Sequence, residues 1–432
     1  MHGLIHTTEL PADAAGAVLL TRAANVFERR LDPASRAPLA VGFSGGGDSL
    51  ALLLAARAWA AAAGRPILAL TVDHGINDLS AGWTAHAARV AAALGVGFRA
   101  LIWSGEKPRT GLPAAARRAR HGLLAEATRE AGASVLLLGH TLDDLAEAAW
   151  MRTQGSSVGA PREWSPSPVW PEGRGVFLLR PLLSLGRAEL REMTRPAGFG
   201  WIEDPANDDA RFLRARARRA RPQPVTAPSD AADPAGGFEV DVAGVVRLRR
   251  DATLSERRLA MACVSAGGGE RLPRSDATGR LLSRIGTSER FAATLAGARI
   301  DAGDEIVICR DAGRLRADPQ ALPTGRPIVW DGRFEIVGQE PGMAVRPLAG
   351  LASRLDKRSR SSLGAFPPSA RRALPALIGA DGKVTCPILA QDAFGWARAL
   401  VEGRLVAACG GIARESVPWT RSHGERVAGA LS

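Results

Sequence analysis

The stretch that decides the fold reads Ser44-Gly45-Gly46-Gly47-Asp48-Ser49. An apolar run at 39–43 precedes it and an Ala- and Leu-rich segment at 50–60 follows it, which predicts a strand, a tight loop and a helix. Glycine lets the backbone approach a ligand, and the free N–H groups at a helix start carry partial positive charge. We therefore predict a phosphate-binding loop, although it lacks the Lys of the usual P-loop. The alternative is a Gly-rich turn capped by its Ser and Asp side chains.

Strands and helices alternate around this loop. Predicted strands cover 39–43, 66–72, 97–102, 134–138 and 177–183, and predicted helices cover 12–31, 81–94, 112–131, 142–151 and 187–194. This order predicts an α/β fold with a doubly wound parallel sheet. In such sheets ligands bind beyond the carboxyl ends of the strands, where three polar clusters fall at 44–49, 73–75 and 139–144. We expect a ligand site at that edge.

The composition favours a polyanionic partner. The 432 residues include 56 Lys or Arg against 44 Asp or Glu, which gives a net charge of +12. Such a positive field favours nucleic acid; the alternative is an Arg-rich composition that reflects codon usage. The sequence shows no apolar run of membrane-spanning length, no signal peptide and no C-x-x-C pair among its four cysteines. We expect a cytoplasmic protein without a membrane segment, a zinc site or disulfides.

Six arginines follow an acidic turn at 201–208. They are Arg211, Arg214, Arg216, Arg218, Arg219 and Arg221. A guanidinium donates two parallel hydrogen bonds to phosphate, so the run predicts a basic helix that binds nucleic acid. The alternative is a solvated helix face.

The rest of the chain predicts smaller α+β regions. We expect the sheet domain at 1–221, a linker at 222–238, a middle α+β region at 239–325 and a mostly β region at 326–432. Within the sheet domain, the Gly-, Ser- and Pro-rich stretch 154–174 predicts a long loop, either a lid over the site or an inserted segment.

Five motifs, between about residues 38 and 220, occur in an order that resembles the tRNA(Ile)-lysidine synthetases. They are 44–49, Val72-Asp73-His74-Gly75, Ala116-Arg117-Arg118-Ala119-Arg120, Gly139-His140-Thr141-Leu142-Asp143-Asp144, and Glu203-Asp204-Pro205-Ala206-Asn207 with Arg214. The first resembles the PP-loop of ATP pyrophosphatases, which cleave ATP between the α and β phosphates. The segment 330–334 also resembles the family's C-terminal part.

The resemblance implies a two-step ligation. ATP first adenylates the C2 oxygen of the wobble cytidine in an isoleucine tRNA with a CAU anticodon. The ε-amine of free lysine then attacks C2 and expels AMP, which leaves lysidine in the tRNA. The implied ligands are ATP with Mg²⁺, lysine and tRNA, the last also bound by the middle region. The oligomeric state, monomer or homodimer, stays open.

The resemblance also implies roles for individual residues. ATP contacts the loop residues Ser44, Gly45, Gly46, Gly47, Asp48 and Ser49 together with Asp73 and His74, and Asp48 associates with Mg²⁺. Catalysis involves His140, Asp143, Asp144 and Arg117, while Arg120, Asp204, Asn207, Arg211, Arg214 and Arg218 contact substrate or tRNA.

Alternatives remain for several of these residues. His140 is otherwise a structural residue at a strand end. Asp143 and Asp144 bind the ammonium groups of lysine or take up a proton. Arg117 and Arg120, three positions apart, reach a phosphate or the lysine carboxylate, or lie on a surface helix. For Asp204 and Asn207 the alternative is a helix cap.

The sequence departs from the family at four positions. Leu145 and Ala148 stand where Gln and Thr are usual, His121 stands where Tyr is usual, and Asn77 replaces a basic residue. Leu145 and Ala148 favour one rival, a non-catalytic RNA-binding relative. The other rival is a different PP-loop enzyme such as a tRNA thiolase, but the cysteines lie outside the predicted catalytic domain. ATP–pyrophosphate exchange distinguishes a catalyst from a binding protein.

Overall fold

A computed structural model describes residues 14–205, 209–226, 237–250, 252–287, 290–390 and 393–415. The chain divides into two compact units, a first unit of residues 1–231 with 412–432 and a second unit of residues 232–411. The domain boundaries at 221, 238 and 325 stay predictions. Of the predicted site residues, Asn207 lies outside the described part of the chain.

A six-stranded sheet forms the centre of the first unit. Its strands are β1 (Leu39–Gly42), β2 (Ile67–Asp73), β3 (Gly97–Ile102), β4 (Val135–Leu138), β5 (Trp164–Pro166) and β6 (Phe177–Leu179). They lie in the order β3-β2-β1-β4-β6-β5, and every neighbouring pair is parallel except β5 and β6. The predicted α/β class with a parallel sheet is therefore confirmed.

Seven described helices accompany this sheet. They are α1 (Ala14–Arg30), α2 (Gly47–Ala63), α3 (Ser80–Ala93), α4 (Leu112–Glu130), α5 (Leu142–Thr153), α6 (Arg187–Thr194) and α7 (Leu213–Ala220). All four residues of β4 are buried, as are most residues between Gly47 and Ala56 at the start of α2. Continuous apolar runs of this kind are typical of parallel strands covered on both faces.

One strand of the sheet was not predicted. The stretch 154–174, interpreted as a long loop, contains β5, which pairs antiparallel with β6. With three residues and a terminal proline, β5 carries no alternating pattern. The predicted strand at 177–183 is also shorter, because β6 ends at Leu179 and a turn follows.

The last described residues, 412–415, belong to the first unit. The Glu415 carboxylate accepts two hydrogen bonds from the Arg65 guanidinium, at 2.7 and 2.9 Å, and both side chains are buried. The Glu415 N–H donates to the carbonyl of Arg30 at 2.7 Å, and Trp164 Nε1 donates to the carbonyl of Ile412 at 2.8 Å. The segment is thus fixed by one buried ion pair and by hydrogen bonds to its backbone.

The second unit contains three antiparallel sheets. The first has the order β7-β8-β11-β10-β9, the second β12-β15-β16-β17 and the third β13-β14-β18. The strands are β7 (Phe238–Val240), β8 (Val246–Arg249), β9 (Phe291–Leu295), β10 (Ala298–Ala302), β11 (Glu305–Arg310), β12 (Gln320–Ala321), β13 (Ile328–Trp330), β14 (Phe334–Gly338), β15 (Ala344–Pro347), β16 (Pro375–Ile378), β17 (Val384–Thr385) and β18 (Gly395–Ala399). The helices are α8 (Glu256–Gly267), α9 (Ser275–Thr287), α10 (Lys357–Ser362), α11 (Pro368–Arg371) and α12 (Val401–Ala408).

These elements confirm the predicted mixture of helices and strands in the later part of the chain. The helices predicted near 255–266 and 276–285 are α8 and α9. Among the residues that the structure describes, no helix has both the length and the apolar character needed to cross a bilayer.

Candidate active site

The loop at 44–49 connects β1 to α2 at the carboxyl edge of the sheet. Gly45 has a φ of 78°, and a Cβ there would lie 2.5 Å from Cδ1 of Ile202, so only glycine fits. The Ser49 hydroxyl donates to the carbonyl of Gly46 at 2.8 Å, and the Ile202 N–H donates to the carbonyl of Gly45 at 2.8 Å. The loop therefore has a fixed shape, with the N-terminus of α2 at its end.

The second polar cluster follows β2. The Asp73 carboxylate accepts a hydrogen bond from the Gly75 N–H at 2.8 Å and so shapes the turn. Nδ1 of His74 is buried without a described hydrogen-bond partner, and burial together with the nearby Arg120 lowers the pKa of this imidazole. His74 is therefore available as a neutral hydrogen-bonding group beside the loop.

The third cluster begins α5. Asp144 accepts a hydrogen bond from the backbone N–H of Thr141 at 2.8 Å, which completes a capping box. Burial alone would raise the pKa of Asp144, but an ion pair with Arg214, the charge of Arg187 and the Thr141 hydrogen bond lower it to about 2. Asp144 is therefore a carboxylate at neutral pH.

Asp143, the neighbouring predicted carboxylate, has a different environment. Its Oδ2 accepts a hydrogen bond from the backbone N–H of Arg187 at 2.7 Å, in the first turn of α6. Asp143 therefore contacts the backbone of Arg187, whereas Asp144 forms ion pairs with the side chains of Arg214 and Arg187.

Glu147 is a functional candidate that the sequence analysis did not single out. It lies one turn after Asp144 on α5, and its side chain is 4% exposed. Its carboxylate accepts hydrogen bonds from Arg214 at 2.9 Å and from Arg187 and Arg218 at 3.1 Å. The sequence does contain a signal for this candidate. Asp144 and Glu147 are three positions apart, which puts both carboxylates on one face of a helix.

Arg187 was also missed, and it joins the clusters. Its Nε donates to Asp48 at 3.1 Å, its Nη1 contacts Glu147 at 3.1 Å and its Nη2 lies 3.5 Å from Asp144. Burial raises the pKa of Asp48, an effect that Arg187 partly offsets and Asp144 reinforces. Three carboxylates thus surround one arginine beside the loop.

A cationic group lies next to these carboxylates. Desolvation and repulsion by Arg214 lower the pKa of Arg117, and desolvation with repulsion by Arg117 and Arg214 lowers the pKa of Arg120 to about 10. Neither side chain forms an ion pair with a described residue. Arg117 is exposed and Arg120 is partly buried. Guanidinium groups without a carboxylate partner are suited to bind an anionic ligand.

The predicted tRNA contacts separate into two groups. Arg214 and Arg218 point toward Asp144 and Glu147, whereas Arg211 is exposed and pairs with Asp209 at 2.6 Å. Asp204 is partly buried, with an interaction of its own. The structure thus brings Arg214 and Arg218 together with the predicted catalytic residues and leaves Arg211 apart.

Comparison with known proteins identifies the family. Residues 19–222 match the model of the PP-loop domain, ATP_bind_3. The tRNA(Ile)-lysidine synthase of Caulobacter vibrioides is 51% identical over 400 residues, which cover 90% of this chain and 98% of that protein. The chain belongs to the tRNA(Ile)-lysidine synthase family. The tRNA(Ile)-lysidine synthase of Hyphomonas neptunium is 38% identical over 67% of this chain and 88% of that protein.

Two departures from the lysidine synthase pattern lie in the protein core. Leu145 and Ala148 are buried, 1% and 6% exposed, next to Asp144 and Glu147 in sequence. Asp144 and Glu147 nevertheless form their ion pairs with Arg214. The two departures are therefore compatible with an intact charged cluster.

Proposed function

We propose that the chain ligates free lysine to C2 of the wobble cytidine of tRNA(Ile) with a CAU anticodon, through an adenylated tRNA intermediate. The observation that supports this most directly is the convergence of the phosphate loop, three carboxylates and a cationic pair at one sheet edge. Membership in the lysidine synthase family and a PP-loop domain, which uses ATP, agree with it.

The loop is the proposed site of the ATP phosphates. Its N–H groups lie at the start of α2, and Gly45 and Gly46 lack the Cβ that would block a close ligand. Ser44 and Ser49 shape the loop through their hydroxyls, while Asp73 and His74 border the nucleotide. Donors fixed before the reaction stabilise charge that develops on phosphate.

The residues present fit Mg²⁺ bound largely through ATP. Among the described residues, no group of three or more His, Cys, Asp and Glu side chains could hold a metal by itself. Mg²⁺ is usually held by one or two carboxylates and by substrate phosphates, and Asp48 with the nearby Asp144 offers that set. Bound there, Mg²⁺ would neutralise charge on the phosphates.

Asp143, Asp144 and Glu147 are proposed to bind the ammonium groups of lysine. Arg214 and Arg218 occupy Asp144 and Glu147 in this structure, so an incoming ammonium would share or replace these contacts. Arg117 and Arg120 are proposed to hold the lysine carboxylate or a phosphate, as their unpaired charges favour. The carboxylates would thus bind the ammonium groups of lysine, and the two arginines would bind its carboxylate or a phosphate.

The exposed arginines near α7 are the proposed phosphate contacts for tRNA. Arg216, Arg219 and Arg211 are exposed, while Arg214 and Arg218 remain in the substrate site through their carboxylate partners. Asp204 and Asn207 stay proposed substrate or tRNA contacts. A monomer and a homodimer both remain compatible with this proposal.

The test is incorporation of labelled lysine into purified tRNA(Ile) with a CAU anticodon, with ATP and Mg²⁺. Elongator tRNA(Met) is the matched control, because it shares the anticodon. We expect incorporation into the isoleucine tRNA alone, together with ATP–pyrophosphate exchange. Bound tRNA without exchange or incorporation would instead identify an RNA-binding relative.

A further inference from the structure

Arg180 is a buried arginine in the active-site region to which the proposed function assigns no role. It follows β6 directly and is 7% exposed. Its Nη1 donates to the carbonyl of Arg162 at 2.7 Å and to the Ser165 hydroxyl at 3.1 Å, and its backbone N–H donates to the carbonyl of Glu163 at 2.8 Å. No carboxylate among the described residues forms an ion pair with Arg180. The guanidinium is therefore oriented by β5 and the residues before it.

The remaining contact of Arg180 is with His140. Arg180 Nε lies 3.2 Å from His140 Nδ1. Burial and the charges of Arg117 and Arg120 lower the pKa of Arg180 to about 10, so it is still protonated at neutral pH. A guanidinium offers only donors, and Nδ1 must therefore accept this hydrogen bond.

This geometry fixes the state of the imidazole. Burial and the charge of Arg180 lower the pKa of His140 to about 3, against the opposing effect of Asp144; Arg120 and Arg214 lower it further. A neutral imidazole whose Nδ1 is an acceptor carries its proton on Nε2. No described residue accepts a hydrogen bond from Nε2, so this N–H is available to a ligand.

His140 lies close to the phosphate loop. A Cβ on the preceding residue, Gly139, would lie 2.9 Å from the carbonyl oxygen of Asp48. The end of β4 therefore abuts the first turn of α2, and a side chain larger than hydrogen does not fit between them. This close approach puts His140 beside the proposed site of the ATP phosphates.

We propose that Arg180 is a positioning residue, which holds His140 as the Nε2–H tautomer so that His140 donates a hydrogen bond to a phosphoryl oxygen during adenylation. The inference rests on the proposed function. In that step the C2 oxygen of cytidine forms a bond to the α-phosphorus, the bond from this phosphorus to the bridging oxygen breaks, and its electron pair leaves with pyrophosphate. His140 keeps its proton throughout and stabilises negative charge that grows on the phosphoryl group.

The tautomer is tested by ¹⁵N NMR on the full chain labelled at histidine, with the variant His140→Gln to assign the signals. We expect an unprotonated Nδ1 and a protonated Nε2 for His140 at pH 7. In Arg180→Met, the Nδ1 acceptor loses its donor and we expect a mixture of tautomers. A protonated Nδ1 in the unmodified chain overturns the proposal.

Catalysis is tested by ATP–pyrophosphate exchange with tRNA. Arg180→Met is expected to lower kcat roughly tenfold to a hundredfold with the KM for ATP within about twofold, since removal of an oxyanion donor itself costs roughly a hundredfold to a thousandfold. Arg180→Lys, which keeps a donor, should recover part of this loss. Arg152→Met, at an exposed arginine on α5, is the matched control and should match the unmodified chain.

The outcomes separate this inference from the proposed function. An unchanged kcat in a folded Arg180→Met protein overturns the positioning role. A raised KM with unchanged kcat also overturns it, because it indicates ground-state binding. If the unmodified chain gives no exchange with tRNA, the proposed function fails and the positioning role of Arg180 in adenylation fails with it, whereas the NMR result still decides the tautomer.

Discussion

The arginines of α7 allow a quantitative test of tRNA binding. Arg216 and Arg219 are exposed, three positions apart and thus on one helix face, whereas Arg214 and Arg218 pair with buried carboxylates. We predict that the double variant Arg216→Gln/Arg219→Gln loses two phosphate contacts. This change leaves the ion pairs of the carboxylate cluster untouched.

The expected magnitude follows from counterion release. Each phosphate contact contributes about 0.7 to 0.9 to the slope of log K against log salt concentration, so two contacts contribute about 1.4 to 1.8. Raising the salt from 50 to 200 mM weakens tRNA binding in both proteins. With the smaller slope, the factor by which binding weakens is roughly sevenfold to twelvefold smaller in the double variant than in the unmodified chain. The variant should therefore differ most from the unmodified chain at low salt.

The assay is filter binding of tRNA(Ile) at five or six salt concentrations. Arg152→Gln on α5 controls for a change in net charge alone and should keep the slope. The variant Arg214→Gln/Arg218→Gln shows whether the inner arginines leave their carboxylates for tRNA: a lower slope indicates that they do. An unchanged slope in the outer double variant would refute the assignment of this face to tRNA.

Further predictions concern the buried ion pair, the phosphate loop and the imidazole. Glu415→Gln should lower the free energy of unfolding by about 3–5 kcal/mol, because it leaves Arg65 charged, buried and without its carboxylate; urea denaturation measures this, and a loss below about 1 kcal/mol contradicts it. Asp48→Asn should reduce ATP–pyrophosphate exchange at least roughly a hundredfold and change the Kd for tRNA by less than about twofold; a normal exchange rate rules out the metal role. His140 has a folded-state pKa of about 3, below the ordinary value of 6.5, so the unfolded chain binds the extra proton between these values and stability falls as the pH drops from 6.5 toward 3. Thermal melts across that range should show a shallower decline for His140→Gln, and identical curves would contradict the protonation state.

Much of the sheet domain follows from local patterns. The helices predicted at 112–131 and 187–194 occur as Leu112–Glu130 and Arg187–Thr194, and the strand at 97–102 has the predicted bounds. The first helix has 19 residues and is soon followed by Gly132, and the second follows Gly186 and has Leu190 and Met193 three positions apart on one buried face. Short-range patterns therefore determine both helices. The three polar clusters lie at one edge of the sheet because parallel strands all end at that edge, and the predicted order of strands and helices is enough to show this.

The partners of the charged residues could not be predicted in the same way. Arg214 is 70 residues from Asp144 and Arg180 is 40 residues from His140, so no helical or strand period connects them. The arginine run predicted one basic face, but Ala215 and Ala217 are buried and α7 turns Arg214 and Arg218 inward. Which face of a short, highly charged helix is buried depends on its tertiary neighbours, and these neighbours are distant in sequence.

The buried partner of Arg65 also sets an order of events during synthesis. Glu415 is 350 residues later in the chain, and at about 5–20 residues per second the ribosome needs roughly 20–70 s to reach it. Throughout that interval the buried side chain of Arg65 lacks its carboxylate partner. All of residues 232–411, the second unit, must be made before Glu415 is added. Completion of the first unit therefore waits for translation of the second unit, and a nascent chain arrested before residue 415 is expected to be a target for chaperones and proteases.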